Sequence, residues 1–349
     1  MNKPICLVAV LILLFGLILS SCGEPVEGEG QDKMEIPSYI TQIDCMRGMV
    51  FAYLIQGDKT ALIDSGPPGP PDSEDPTSVE GALEALGMKD EDIDIIIFTT
   101  FHGTQTAGAK DLQNIPGVEI YIHSSVADFI LDRNLAFNSD VAPGVAAILG
   151  EEAMEGERTK YLNNEPTYKF VTRELVEGDV IDLGQGIELK VLHLPGHTIG
   201  DIGLYIEKEG ILFTGGLVRA VNGPGGALPV IDNMYLYKST VQRLQELPLN
   251  MMLPTHPFMT PSIPSTTILK GKETINTYFE EILESIDIMQ QAAVGVAPGW
   301  NKKPFRESYD EFVAKLPKEW GVLTIAELNK VPFYGAITFL NMMKKITGG

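Results

Sequence analysis

Thr99–Gly108 reads "TTFHGTQTAG" and follows the apolar run "IDIIIF" (Ile93–Phe98). Such a run predicts a buried strand, and the polar stretch after it a loop at the strand's carboxyl end, with His102 its only imidazole. Four other histidines complete the set: His123 in "IYIHSS", His193 in "VLHLPG", His197 in "PGHT" and His256 in "PTHP". Imidazole is the side chain best suited to carry protons near neutrality or to ligate a metal. No Gly-x-Ser-x-Gly, Ser-x-x-Lys or glycine-rich phosphate loop is present to supply other chemistry. Cys45 would act as a nucleophile only beside a base, and reads as a buried thiol. Asp64 in "LIDSG" has the features of a turn aspartate bonding its own backbone.

The elements that would position these residues alternate in type. "MVFAYLIQGDKTALIDSG" (Met49–Gly66) holds two apolar runs around Gly-Asp, a hairpin signal. The Pro/Gly-rich loop "PPGPPDSEDP" follows. "SVEGALEALG" predicts a helix capped by Ser78 with Gly87 beyond its end. "TAGAKDLQNIPG" predicts a helix closed by Pro-Gly, "VEIYI" a strand, and "SVADFILDRN" a helix with a Ser125–Asp128 capping pair. Leu135–Tyr168 reads as an irregular excursion over one face. Phe170–Gly215 is strand-rich throughout, and "NMYLYKSTVQRLQEL" and "MMLP" add a helix and a strand. From "KETINTYFEEILESIDIMQQ" onward the chain is mostly helical, including a Thr324–Glu327 capping box. Two strand-rich blocks that each feed helices predict an α/β domain of face-to-face sheets with helices outside and a helical C-terminal addition.

The chain has 349 residues, with 47 acidic and 26 basic side chains giving a net charge of −21. That field repels phosphate backbones, which excludes nucleic acid as the expected partner. The first residues, "MNKPICLVAVLILLFGLILSSC", carry one charge, an apolar run too short for a span of about 20 residues, then small residues. "LSSC" (Leu19–Cys22) resembles the bacterial lipobox, which implies lipidation of Cys22 after cleavage. Residues 1–22 are therefore expected to be a lipoprotein signal peptide and 23–38 a polar, flexible tether. Cys45 would then be the only free thiol, with no intramolecular disulfide available. The protein is expected to be exported and lipid-anchored to the cell envelope.

"LIQGDKTALIDSG", "VLHLPGHTIGDIGLYI", "ILFTGG" and "LPTHP" resemble, in order and spacing, successive signatures of the metallo-β-lactamase superfamily. The resemblance implies a four-layer αββα sandwich over residues 39–268, with 269–349 as the helical extension. It also implies metals held in loops along one edge. The family's main loop runs T-H-x-H-x-D-H-x-G-G. Thr99 matches its threonine, Thr100 stands at the first histidine, and His102 keeps the second. Thr104 replaces the aspartate and Gln105 the third histidine. His197 is kept, Gly216 stands where an aspartate bridges the metals, and His256 matches the late histidine. Asp64 corresponds to a residue supporting the site. His123 and His193 correspond to histidines outside the metal shell.

Three of seven ligands are thus present, without either carboxylate. Neutral Thr104 and Gln105 are poor zinc ligands, so paired zinc is not expected. The leading expectation is a binding protein, with no cofactor, taking a small molecule or a protein in a cleft lined by Asp64, Thr100, Thr104, Gln105 and Gly216. The alternative is a single-zinc hydrolase of an ester, thioester or amide, its metal on His102, His197 and His256.

Overall fold

In strand order the described residues build two sheets. The computed structural model describes residues 35–67, 78–217, 228–322, 324 and 334–348. Cys22, the signal segment, tether residues 23–34, most of the Pro/Gly-rich loop and Glu327 of the expected capping box lie outside them. Met1–Glu35 and Ile36–Gly349 form separate units, and the described sheets and helices belong to the second.

The first sheet has the spatial order β1 (Ile40–Asp44), β2 (Phe51–Gln56), β3 (Thr60–Ile63), β4 (Ile95–Ile97), β5 (Glu119–His123), β6 (Arg173–Leu175). It is antiparallel from β1 to β3 and parallel from β3 to β6. The second sheet contains β7 (Val180–Asp182), β8 (Glu188–His193), β9 (Ile202–Ile206), β10 (Ile211–Gly215), β11 (Met251–Pro254) and β12 (Leu269–Lys270). These too lie in sequence order, antiparallel except for the parallel β10–β11 pair.

The period of two along a strand explains why these sequences are apolar nearly throughout. Ala52 and Leu54 of β2 pack with Leu62, Ile96 and the helical residue Leu83 on one side. Tyr53, between them, points the other way and meets Phe213 of β10 edge-on, ring centroids 5.0 Å apart. Its hydroxyl donates to the Pro254 carbonyl at 2.6 Å, and Phe51 N–H donates to Thr255 O at 2.8 Å, closing the sandwich.

The helices among the described residues are α1 (Val79–Ala85), α2 (Gly103–Thr106), α3 (Ala127–Leu131), α4 (Arg133–Ala136), α5 (Ala142–Leu149), α6 (Met154–Asn164), α7 (Met234–Gln245), α8 (Lys272–Val296), α9 (Phe305–Val313) and α10 (Tyr334–Thr347). Ser78 caps α1 as expected, accepting from Gly81 N–H at 3.0 Å. The C-terminal helices share one core with the second sheet: Leu212 and Met252 pack with Tyr237, Ile282, Phe312 and Phe339.

Three local expectations are corrected. Leu135–Tyr168 is largely helical, with a π-helical turn at Phe137–Val141 between α4 and α5. "TAGAKDLQNIPG" forms no single helix; α2 gives way to 3₁₀ turns at Ala107–Ala109 and Leu112–Asn114. Gly108 lies where a Cβ would come 2.1 Å from the Ser65 carbonyl, so the segment is pressed against the end of β3. In "SVADFILDRN" the helix breaks at Asp132, whose carboxylate accepts from Asn134 and Leu135 N–H and starts α4. Ser125 N–H is taken by His123 Nδ1 instead of opening a capping box.

Asp64, just past β3, fixes how the loops meet. It is wholly buried and left-handed, with φ 56°. Its carboxylate accepts from Thr99 N–H at 2.8 Å, Thr99 Oγ1 at 2.7 Å and Thr255 Oγ1 at 2.7 Å, tying the loops after β3, β4 and β11 together. On the far side of the Thr99–Thr106 segment, the buried Arg133 guanidinium donates to Phe101 O at 2.6 Å, Pro166 O at 2.8 Å and Thr106 Oγ1 at 2.9 Å. Arg133→Met should therefore cost on the order of 3 kcal/mol or more in urea unfolding, since it strands acceptors and the neighbouring Glu165 carboxylate.

Burial pushes the Asp64 carboxyl up to about 6; the threonine bonds oppose this and Asp201 adds to it. The unfolded chain releases this proton near the ordinary value of 3.8, so between the two values the folded state holds the extra proton. Stability from this group falls as pH rises through that window, by about 3 kcal/mol in all. An asparagine at this position cannot ionise. Chemical unfolding of the Asp64→Asn variant beside the wild type should show the wild type's relative stability highest near pH 4 and declining toward pH 7. A relative stability that rises with pH would contradict this ionisation.

Candidate functional site

Asp64, the Thr99–Thr106 segment, the Pro195–Asp201 loop, Gly216 and His256 all follow the carboxyl ends of strands, the edge where sheets of this kind place ligands. His102 is the N-cap of α2, and its ring meets that of His197 nearly perpendicular, centroids 5.0 Å apart. Each ring is held from behind by a carboxylate. His102 Nε2 is 3.2 Å from Asp140 Oδ2, on the π turn, and His197 Nδ1 is 3.0 Å from Asp201 Oδ2. Asp201 also accepts from Thr198 N–H and Oγ1, both at 2.8 Å.

The electrostatics follow from these contacts. Burial pushes the His102 pKa down, but the bond to Asp140 and its charge, with Glu165 and Asp201 nearby, leave it above the usual histidine value. Burial would raise the Asp201 carboxyl. His197 and the Thr198 donors outweigh it, and the pKa is lowered.

The other half of the site is an amide–imidazole pair. His256 Nδ1 is 3.0 Å from the Met49 carbonyl, which can only accept, so this nitrogen carries the proton. Its Nε2 then offers a lone pair to the Gln105 amide nitrogen at 3.3 Å. Gln105 Oε1 accepts from Thr104 Oγ1 at 2.6 Å. A Cβ on Gly216 would lie 3.4 Å from Gln105 Nε2 and 3.5 Å from His197 Cε1, so Gly216 faces the gap between the two halves.

His102, Gln105, His197, Gly216 and His256 are thus brought together. His256 is bonded to Gln105 and not to the other two histidines. Of the residues expected to line the cleft, Asp64 and Thr100 are wholly buried, and Gln105 and Gly216 are buried too. Thr100 Oγ1 has no hydrogen-bond partner among the described residues. Thr104 is exposed. His123 and His193 stack on each other at 4.1 Å away from this group, and burial with the neighbouring ring lowers the His123 pKa to about 4. Cys45 is buried, which pushes its thiol up to about 12 and leaves it a poor nucleophile. Among the described residues, no three His, Cys, Asp or Glu side chains are grouped to hold a metal ion.

The carboxylates were harder to foresee. Asp201 stands inside the quoted "PGHTIGDIGLY" and could have been paired with His197 four residues earlier. Asp140 lies 38 residues from His102, in a stretch without periodicity, and nothing local marks it.

The family model for the metallo-beta-lactamase superfamily matches residues 46–256. Among curated relatives, a probable metallo-hydrolase, YqjP, of Bacillus subtilis is 26% identical over 226 residues, 60% of this chain and 67% of that protein. A hydroxyacylglutathione hydrolase of Chelativorans sp. is 36% identical over 83 residues, 24% of this chain and 31% of that one. The chain therefore spans about two thirds of the first and under a third of the second. A metallo-beta-lactamase family protein from Thermus thermophilus shares the fold at TM-score 0.63 and 17% identity, over 88% of this chain and 94% of its own. A beta-lactamase domain protein from Burkholderia ambifaria does so at TM-score 0.59 and 14% identity, over 90% and 89%. With two mixed sheets, helices outside them and a loop cluster at the strand ends, this chain belongs to the metallo-beta-lactamase superfamily.

Proposed function

We propose that this hydrolase-like chain binds a small molecule or a protein in the cleft over His102, His197 and His256, without paired-zinc hydrolysis, while a lipid on Cys22 holds it at the cell envelope. The observation that carries the reading is the Gln105 amide. Superfamily members commonly bind zinc, and a zinc pair needs carboxylates and imidazole nitrogens turned toward a shared gap. Here a neutral amide occupies that gap, bonded to His256, and Gly216 contributes no carboxylate. The residues present do not fit a metal pair, and the imidazoles offer hydrogen bonds to a ligand instead.

A single-zinc hydrolase of an ester, thioester or amide is the second reading. It is favoured by the His102–His197 pair, since a carboxylate behind each imidazole is the usual support of a ligating histidine. The third ligand it requires, His256, is engaged through both ring nitrogens.

Metal analysis of the purified protein separates the two. The binding reading expects well under one equivalent of zinc and a melting temperature nearly unchanged by chelator, because an ion stabilises only through ligands of the folded state. Restoring Thr100→His, Thr104→Asp, Gln105→His and Gly216→Asp together should recover metal, and any one alone should recover little. Stoichiometric zinc in the unaltered protein, lost on His102→Ala or His197→Ala, would overturn the binding reading in favour of the single-zinc hydrolase.

For the anchor, mass spectrometry of the N-terminal peptide should find cleavage before Cys22 and acyl chains on it, two or more being needed for firm attachment. An unmodified Cys22 still joined to Ser21 would refute it.

A further inference from the structure

Beside the histidine pair lies a cavity of about 260 Å³ between the π turn, α5 and α10. Its charged lining is Asp140, Asp232, Lys344 and Lys345, and Ile337 and Pro143 give it a small apolar wall. The cavity adjoins the site directly. Asp140 is the residue that holds His102, and Asp232 N–H donates to the His197 carbonyl at 3.2 Å. Burial first and then Asp140 hold the Asp232 carboxyl above its ordinary value, against the opposing pull of Lys345, His197 and Lys344, so all four charged groups act on one small space.

Asp232, Lys344 and Lys345 form no ion pair or side-chain hydrogen bond with other described residues. In a chain with 47 acidic and 26 basic residues, two adjacent lysines, Lys344 half-buried and Lys345 exposed, line this cavity. The signs of the lining select among ligands. A phosphate would be drawn by the lysines and repelled by Asp140 and Asp232; a divalent cation would meet the opposite balance. Asp140 already pairs with His102, so Asp232 is the carboxylate left facing the two lysines, and a molecule with one charge of each sign gains at both walls. The size agrees. The space equals roughly nine waters at about 30 Å³ each, just below the ~300–1,000 Å³ of drug-sized sites.

We infer that this cavity is a subsite for a small zwitterion of dipeptide size, its carboxylate on Lys344 and Lys345 and its ammonium on Asp232 with Asp140 alongside. The inference rests on the reading of the cleft as a ligand-binding site and names the class of ligand. The subsite places the rest of such a ligand beside His102 and His197, while the cavity's charges fix its direction.

The test is titration calorimetry of the full-length protein with glycyl-L-leucine. N-acetyl-glycyl-L-leucine, which keeps only the negative end, and glycyl-L-leucine amide, which keeps only the positive end, serve as controls. The dipeptide should bind one to one and at least tenfold more tightly than either control. Lys344→Gln with Lys345→Gln should weaken it to the level of the amide, and Asp232→Asn to the level of the acetyl form. Lys344→Arg with Lys345→Arg should retain the preference. No binding of the dipeptide, or equal binding of all three, would overturn the inference. Zinc measured on the same sample keeps the two readings apart. Stoichiometric zinc would defeat the non-hydrolytic reading, while the dipeptide preference alone decides the subsite.

Discussion

A carboxylate sealed between two sheets, with no cation among the described residues against it, holds the loop edge of this protein together. Asp64 leaves β3 in a left-handed turn and receives three hydrogen bonds from Thr99 and Thr255. Desolvating a carboxylate is unfavourable by several kcal/mol unless donors replace water, and here one backbone amide and two hydroxyls do so. Because those donors come from the loops after β4 and β11, the compensation also sets how the two sheets align at this edge. His102 and His256 each lie within three residues of one of those donors. Their positions follow from a contact that neither histidine makes.

Above this buried tie the site is organised by pairs. His102 with Asp140 and His197 with Asp201 are imidazoles oriented by carboxylates, the arrangement a proton carrier or a metal ligand requires. Gln105 with His256 is an amide–imidazole pair, steadied by the Thr104 hydroxyl on Gln105 Oε1. One half of the edge thus pairs imidazoles with carboxylates, and the other pairs an imidazole with an amide. The charged cavity at Asp140 extends the first half outward, toward α10.

Much of the fold could be read from the sequence because its signals are local. The apolar run Ile93–Phe98, the Gly-Asp hairpin and the Ser78 cap each depend on a few neighbouring residues. The order of the motifs then located the loops carrying His102, His197, Gly216 and His256. What could not be read depends on competition or distance. Ser125 and Asp128 have the spacing of a capping pair, but the His123 ring takes the Ser125 amide. Leu135–Tyr168 has no clear apolar period because α6 buries none of its residues and a π turn shifts the register before α5. The burial of Asp64 and Thr100 likewise depends on how closely Gly108 lets the 3₁₀ segment approach Ser65, which no periodicity records.

The central claim is that a Gln105–His256 hydrogen bond stands where the family holds metal. Diffraction at the zinc absorption edge, from crystals grown with excess zinc, tests it most directly. The expected result is no anomalous peak among His102, His197 and His256, and continuous density joining Gln105 to His256. A full-occupancy peak within about 2.1 Å of imidazole nitrogens from these histidines, with Gln105 displaced, would contradict it.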